Sequence, residues 1–172
     1  MKWVLDCGPL GHLARFHDDG WEWLAAALHV TREVAREGLA SNSSYNQKLL
    51  AMETDAGEPC IAVHDIPVLS DAATMFATHL RPNAASATRN VGEDETIAFC
   101  AAMDTETIFV TADRTAAFVA LSELGRGRVA TPFDLWVHLR DTELISPAVF
   151  DSLCERTAKQ LNVLPGKPWR LS

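Results

Sequence analysis

Short apolar runs rich in β-branched residues alternate with helix-like segments along most of this chain, and this alternation constrains the fold more than any other feature. Strand-like runs lie at 2–6, 28–30, 60–66, 107–113 and 127–132. Segments with apolar residues at helical spacing lie at 10–16, 31–39, 70–80, 93–103, 114–125, 133–141 and 146–161. Strands that alternate with helices predict a three-layer α/β/α sandwich around a mostly parallel central sheet, which is a Rossmann-like fold. Without an internal repeat or linker, we expect a single domain over residues 1–172.

The composition fits a globular protein and limits the kinds of ligand surface. Apolar residues make up 48% of the 172 residues, which is typical of a chain with a sizeable core. The formal net charge of −8 argues against a broad basic surface for nucleic acid. It does not argue against an enzyme that acts on nucleic acid, because carboxylates that hold cations are neutralised when the metal binds.

The cysteine pattern and the N-terminal sequence favour a cytoplasmic protein. Cys7, Cys60, Cys100 and Cys154 show no metal-ligand spacing, so we interpret them as reduced thiols, mostly buried. The opening MKWVLDCGPLGHLARF lacks the apolar stretch of a secretory signal. No apolar run approaches the ~18 residues that a membrane-spanning helix needs.

Acidic residues follow the strand-like runs and begin the helices after them. Asp6 and Asp113 each end an apolar strand, and Glu37 lies on the helix after the second strand. Glu93 and Glu95 begin the helix before the strand that ends at Asp113. Because ligands bind at the carboxyl ends of parallel strands, we expect these carboxylates to converge on one cleft. Such a cluster repels itself, and Mg²⁺ or Mn²⁺, which take oxygen ligands and commonly partner phosphates, would relieve the repulsion.

The same acids have a structural interpretation. Glutamate at a helix N-terminus is favoured by the helix dipole, and aspartate after a strand is a common cap or turn residue. The spacing alone leaves both interpretations open. Asp94, between the two glutamates, is expected to be solvated.

Four segments resemble, in order, the motifs of PIN-domain nucleases. WVLDCGPLGHLAR resembles their opening strand, Asp, small-residue turn and helix, and HVTREVAREGL resembles their second strand and Glu-bearing helix. VGEDETIAFCAAM resembles the Gly-Glu-x-Glu-x-Ile-Ala motif of one branch, and IFVTADRTAAFVA resembles their strand followed by Thr-x-Asp-Arg. The matches cover about residues 1–140, followed by a C-terminal helix and tail over 146–172. The resemblance implies a PIN-like α/β/α fold, a divalent-metal site and cleavage of RNA.

The resemblance also implies roles for individual residues. Asp6 matches the first metal ligand and Asp113 the last. Glu37 matches the second acid, with Glu33 one turn earlier as the alternative. Glu93 directly follows the motif glycine, and Glu95, about 200° away around the helix, is the alternative metal ligand. The substrate-binding residues that it suggests are Thr111, which would orient a ligand or water, and Arg114, which would meet phosphate.

The possible partners are RNA, an antitoxin and a second copy of the chain. Many PIN-domain proteins are VapC-type toxins that are neutralised by a small antitoxin. Trp21 and Trp23 cannot both face inward on a helix, so one is a candidate for a partner or homodimer interface. A catalytically weak PIN-like binding or scaffolding module is the alternative function, and an unrelated α/β protein with capping acids is the third. The segment 41–90 resembles nothing. A basic rim for RNA is expected either from Arg114, Arg126, Arg128 and Arg140 or from a neighbouring subunit.

Overall fold

A computed structural model describes residues 1–15, 28–40, 44–53, 56–81, 90–103 and 105–161. Within these ranges the strands are β1 (Lys2–Leu5), β2 (Leu28–Thr31), β3 (Ala62–His64), β4 (Thr107–Val110) and β5 (Val129–Ala130). The helices are α1 (Cys7–Ala14), α2 (Arg32–Ala40), α3 (Ser44–Leu50), α4 (Asp71–Met75), α5 (Val91–Ala102), α6 (Arg114–Leu124), α7 (Pro132–Asp141) and α8 (Pro147–Gln160). A π-helical turn, Phe76–Leu80, continues α4. Trp21 and Trp23, the candidates for a partner interface, and the tail from 162 lie outside the described residues.

The strands form one sheet in the order β3-β2-β1-β4-β5, and every neighbouring pair is parallel. Helices cover both faces, which confirms the predicted three-layer α/β/α, Rossmann-like fold. The register pairs Leu5 of β1 with Val110 of β4, so these two central strands end side by side. The residues that follow them, including Asp6 and Asp113, therefore meet at the carboxyl edge of the sheet.

Alternate residues of the central strands pack into two separate cores. Trp3 and Leu5 face a core formed with α1, α7 and α8, whereas Val4 faces a core formed with α5 and α6. On the adjacent strand, Val110 belongs to the first core and Phe109 to the second. This alternation follows from the two-residue repeat of side-chain direction in a strand, and burial on both faces explains why the strands are continuous apolar runs.

Several helix ends lie where the sequence predicts them. Ser70 caps α4 by accepting a hydrogen bond from Ala73 N at 3.1 Å, as expected for serine at this position. Pro147 occupies the first turn of α8, where its missing N–H costs no hydrogen bond. Gly125 ends α6 with a φ of 82°, a conformation that glycine adopts without strain.

The C-terminal helix α8 is joined to the domain by a buried polar network. Trp136 Nε1 of α7 donates to Thr157 Oγ1 of α8 at 3.0 Å, and His12 Nδ1 of α1 lies 2.7 Å from the same oxygen. All three side chains are buried, so this network fixes α8 against α1 and α7. No helix in the described part of the chain has both the length and the apolar character needed to cross a membrane.

Candidate active site

A cleft of about 330 Å³ lies at the carboxyl edge of the sheet, beyond the ends of β1 and β4. It is bounded by the first turn of α1, the middle of α2, the start of α5 and the turn that leads into α6. Its lining combines four carboxylates with a thiol, an amide and two small residues. These residues are Asp6, Cys7, Gly8, Glu37, Asn90, Glu93, Ala112 and Asp113.

Asp6 is held at the centre of this cleft by hydrogen bonds to both carboxylate oxygens. Cys7 N donates to Oδ1 at 2.6 Å, which makes Asp6 the N-cap of α1. Thr111 Oγ1 donates to Oδ2 at 2.8 Å, and Thr111 is fully buried. Asp113 N donates to the same Thr111 oxygen at 3.0 Å. Thr111 therefore orients Asp6 and the backbone of Asp113 together, and its burial keeps its hydroxyl from direct contact with a substrate in this conformation.

Asp113 both caps a helix and lines the cleft. Its Oδ1 accepts hydrogen bonds from Thr115 N at 2.6 Å and from Ala116 N at 3.0 Å, so it is the N-cap of α6. The residue is exposed, as is Arg114 directly after it. Gly8, in the first turn of α1, packs closely against Ala112, which directly precedes Asp113. A Cβ on Gly8 would lie 3.3 Å from Ala112 Cβ, so this position favours a residue without a side chain.

Glu37 reaches the cleft from α2, and its position depends on a glycine in α5. Gly92 N donates to Glu37 Oε1 at 3.3 Å, and Cys7 Sγ donates to Oε2 at 3.2 Å. A Cβ on Gly92 would lie 3.1 Å from both Glu37 Oε2 and Val34 Cγ2. The glycine of the Gly-Glu-x-Glu motif therefore allows α5 to approach α2 closely enough to contact this carboxylate.

In each of the two pairs of alternative acids, one member lines the cleft and the other does not. Glu93 lines the cleft, whereas Glu95 Oε2 accepts a hydrogen bond from Glu33 N at 2.9 Å and so caps the start of α2 from another helix. Glu37 lines the cleft, whereas Glu33 forms an ion pair with Arg36 on the surface of α2. The location of Glu95 does not fit the metal-ligand role that the sequence left open for it, because its carboxylate is engaged at the start of α2. The Thr31 hydroxyl, immediately before α2, lies 3.1 Å from the Thr96 hydroxyl of α5, which gives a second contact between these helices near Glu95.

Burial and neighbouring negative charges raise the pKa of two acids in the cleft, Asp6 and Glu93. Burial is the main cause that raises the pKa of Asp6 from 3.8 to about 6, against the lowering effect of the hydrogen bonds from Thr111 and Cys7, and the charges of Glu37 and Asp113 add to the rise. Burial also raises the pKa of Glu93 from 4.5 to about 7, followed by the charges of Asp6 and Asp113. At neutral pH the cleft therefore holds negative charge at a cost in free energy, which a cation would offset.

The basic residues expected to form a rim are mostly engaged elsewhere. Arg128 donates to the carbonyl oxygens of Thr107 and Cys100, and so ties the strand ends to α5. Arg140 pairs with Asp141, and its guanidinium lies 4.4 Å from the centre of the Phe150 ring.

Arg114 is exposed beside Asp113 at the carboxyl edge of the sheet and fits the expected rim. Arg126 is also exposed, but it precedes β5 and therefore lies towards the opposite, amino edge of the parallel sheet. The expectation that Asp94 is solvated is wrong, because it pairs with Arg81 at 2.9 Å and both side chains are at most one-fifth exposed.

Sequence reasoning missed Cys7 and Asn90 as cleft residues. The sequence predicts Cys7 only as one of the mostly buried thiols, although its place directly after Asp6, at the end of a strand, puts it at the edge where ligands bind. Asn90 precedes α5 in the left-handed region, with a φ of 61°, and its side chain makes no capping hydrogen bond. Asparagine is one of the few residues other than glycine that adopt this conformation readily.

The cleft suits a hard divalent cation by its chemistry, but it is not a ready-made coordination sphere. Within the described ranges, no three His, Cys, Asp or Glu side chains are gathered into a group that would hold a metal ion. Mg²⁺ usually keeps several waters and binds proteins through one or two carboxylates, so such a group is not required for it. The donors available here, the carboxylates of Asp6, Glu37, Glu93 and Asp113, are the oxygen ligands that Mg²⁺ and Mn²⁺ prefer.

Comparison of this chain with protein-family models, with curated proteins and with solved structures found no match. The fold and the cleft therefore define its class: an α/β/α protein with a parallel sheet and an acidic cleft at the carboxyl edge of that sheet.

Proposed function

We propose that this protein is a divalent-metal-dependent endoribonuclease of PIN type that hydrolyses RNA phosphodiester bonds. One observation carries the proposal: four carboxylates from four separate segments line one cleft at the carboxyl edge of a parallel sheet. All four acids are ones that the resemblance favours: Asp6 and Asp113 have no alternative, and Glu37 and Glu93 are the preferred members of their pairs. Glu33 and Glu95, the less favoured members, do not line the cleft. The residues that would hold the cation are Asp6, Glu37, Glu93 and Asp113.

Each residue has a defined part in this proposal. Thr111 fixes the Asp6 carboxylate, and Asp113 stands at the exposed side of the cleft, where a phosphodiester would enter. A divalent cation bound there would supply activation of water and neutralisation of charge on the phosphate. Arg114, exposed beside Asp113, would meet a neighbouring phosphate of the RNA.

The biological setting that we propose is cytoplasmic, and the toxin of a toxin–antitoxin pair is the role that the resemblance implies. The four cysteines are free thiols, which suits a reducing compartment. A small antitoxin that abolishes RNA cleavage on co-expression would support the toxin role.

The test is cleavage of a mixed-sequence RNA oligonucleotide with Mn²⁺ or Mg²⁺, compared with EDTA. We expect Asp6→Asn and Asp113→Asn to lower the cleavage rate by at least about a hundredfold, because each removes a charged oxygen ligand. Asp71→Asn is the matched control, since Asp71 is an exposed acid in the first turn of α4 and does not line the cleft.

The two ways in which the proposal can fail lead to different conclusions. Binding of Mn²⁺ by calorimetry, together with RNA binding and no cleavage, would favour the alternative of a binding or scaffolding module. Cleavage that is abolished by EDTA but unchanged in both Asp→Asn variants would show that the active site lies elsewhere.

A further inference from the structure

Cys7 is the one thiol that lines the acidic cleft, among the residues that the structure describes. It is the first residue of α1, and its side chain crosses to α2, where Sγ lies 3.2 Å from Glu37 Oε2. The other oxygen of Glu37 accepts from Gly92 N at 3.3 Å. Glu37 is thus held by one donor on each carboxylate oxygen, and the two donors come from two different helices.

Hydrogen bonds of this kind have their largest effect on a long, flexible side chain, because they restrict its rotamers. Fixing a glutamate side chain costs conformational entropy, so an unsupported Glu37 would sample several rotamers. Gly92 has no room for a side chain and contributes only its backbone amide. Cys7 therefore supplies the only side-chain donor to Glu37 that is recorded within the described ranges.

The thiol has a second acceptor close by. Val34 O lies 3.6 Å from Cys7 Sγ, and a thiol has a single hydrogen to donate. When Glu37 turns towards a cation, the thiol can rotate to Val34 O and keep a hydrogen bond. The Cys7 thiol is a weak donor and has Val34 O as an alternative acceptor. It can therefore orient the Glu37 carboxylate without strongly weakening the attraction of that carboxylate for a cation.

We propose that Cys7 is a positioning residue that holds Glu37 in its cleft-facing orientation. This inference rests on the proposed function, in that Glu37 would serve the cation site. The alternative is that Cys7 only fills space between α1 and α2, as a small apolar residue does.

The experiment compares Cys7→Ala with Cys7→Ser, which keeps a donor at nearly the same position. We expect Cys7→Ala to weaken Mn²⁺ binding by about tenfold and to lower kcat by a similar factor, with little change in KM for RNA, as for other residues that orient a metal ligand. Cys7→Ser should recover most of both losses. Cys154→Ala, which removes a half-buried thiol from α8, is the matched control for loss of a thiol and should behave as the unaltered protein.

A double-mutant cycle separates this inference from the proposed function. Chemical unfolding in EDTA is measured for Cys7→Ala, Glu37→Gln and the double variant, so no metal and no activity enter the result. Non-additive effects on the unfolding equilibrium would support the contact between the two side chains, because independent residues give additive effects. Additive effects, or a Cys7→Ala variant that binds Mn²⁺ as tightly as Cys7→Ser, would overturn the positioning role.

If the unaltered protein neither binds Mn²⁺ nor cleaves RNA, the proposed function fails. A non-additive cycle would in that case still establish Cys7 as the residue that holds Glu37, whereas an additive cycle would overturn this inference as well. Unchanged RNA cleavage in Cys7→Ala, with loss of cleavage in Glu37→Gln, would refute the positioning role while leaving the proposed function intact.

Discussion

Replacement of Asp6 by asparagine should stabilise the metal-free protein as the pH rises. The pKa of Asp6 is raised from 3.8 to about 6, chiefly by burial, so the folded protein binds a proton more tightly than the unfolded chain does. A group of this kind contributes stability that is fully present below its unfolded pKa and is lost as pH rises through its folded pKa. The window is therefore about pH 4 to 6.

The size of the effect follows from the two pKa values. One pKa unit corresponds to about 1.4 kcal/mol, so ionisation of Asp6 costs the folded state about 3 kcal/mol at neutral pH. Part of this loss is already present near pH 4, which leaves about 2 kcal/mol to appear between pH 4 and pH 7.5. Asparagine cannot ionise, and so Asp6→Asn escapes this loss. Its altered hydrogen bonds to Cys7 N and Thr111 contribute a term that does not change with pH and cancels in the comparison.

The assay is urea unfolding in EDTA at several pH values across this window. We expect the unfolding free energy of Asp6→Asn, relative to the unaltered protein, to rise by about 2 kcal/mol from pH 4 to pH 7.5. Asp71→Asn, with its acid on the exposed first turn of α4, should show no comparable rise. Parallel pH profiles for Asp6→Asn and the unaltered protein would refute the reasoning, because they would mean that Asp6 ionises without cost in the folded state.

Two further predictions concern packing and a buried histidine. Gly92→Ala should destabilise the protein by about 1–3 kcal/mol and, under the proposed function, lower RNA cleavage, because the added methyl would lie 3.1 Å from Glu37 and Val34. Its control is Gly11→Ala in α1, where a Cβ meets nothing within 4 Å and helix propensity favours alanine, so thermal unfolding should show no loss. Burial lowers the pKa of His12 from 6.5 to about 4, and the stability that this neutral histidine contributes is lost as pH falls through that range. Relative to His12→Asn, the unaltered protein should therefore lose up to about 3 kcal/mol between pH 6.5 and pH 4, and equal pH dependence would contradict this.

The sequence was sufficient to predict the fold because its signals are local and repeated. Apolar runs such as that before Asp6 are short, are followed by helical segments, and recur along the chain. The same logic placed Asp6 and Asp113 together, since the carboxyl ends of parallel strands share one edge. Errors of a few residues at the ends of these elements do not move the site.

The choice between Glu33 and Glu37 on α2, and between Glu93 and Glu95 on α5, depends on how the two helices pack against each other. Spacing along α5 shows that Glu93 and Glu95 point in different directions, but it does not show which direction faces the cleft. That is decided by the contact of Gly92 with Glu37, which turns Glu93 inward and brings Glu95 to the start of α2. The role of Cys7 was hidden for the same reason, because its partner Glu37 is thirty residues away in sequence.

The same acidic residues can both cap helices and line the cleft. Asp6 caps α1 and Asp113 caps α6, and both carboxylates line the cleft. The N-terminus of a helix carries partial positive charge, which favours a nearby carboxylate. Two such helix ends therefore reduce the repulsion within the cleft, although burial still raises the pKa of Asp6. The caps hold the acids together in the metal-free protein, and under the proposed function the free energy that they do not offset would favour cation binding.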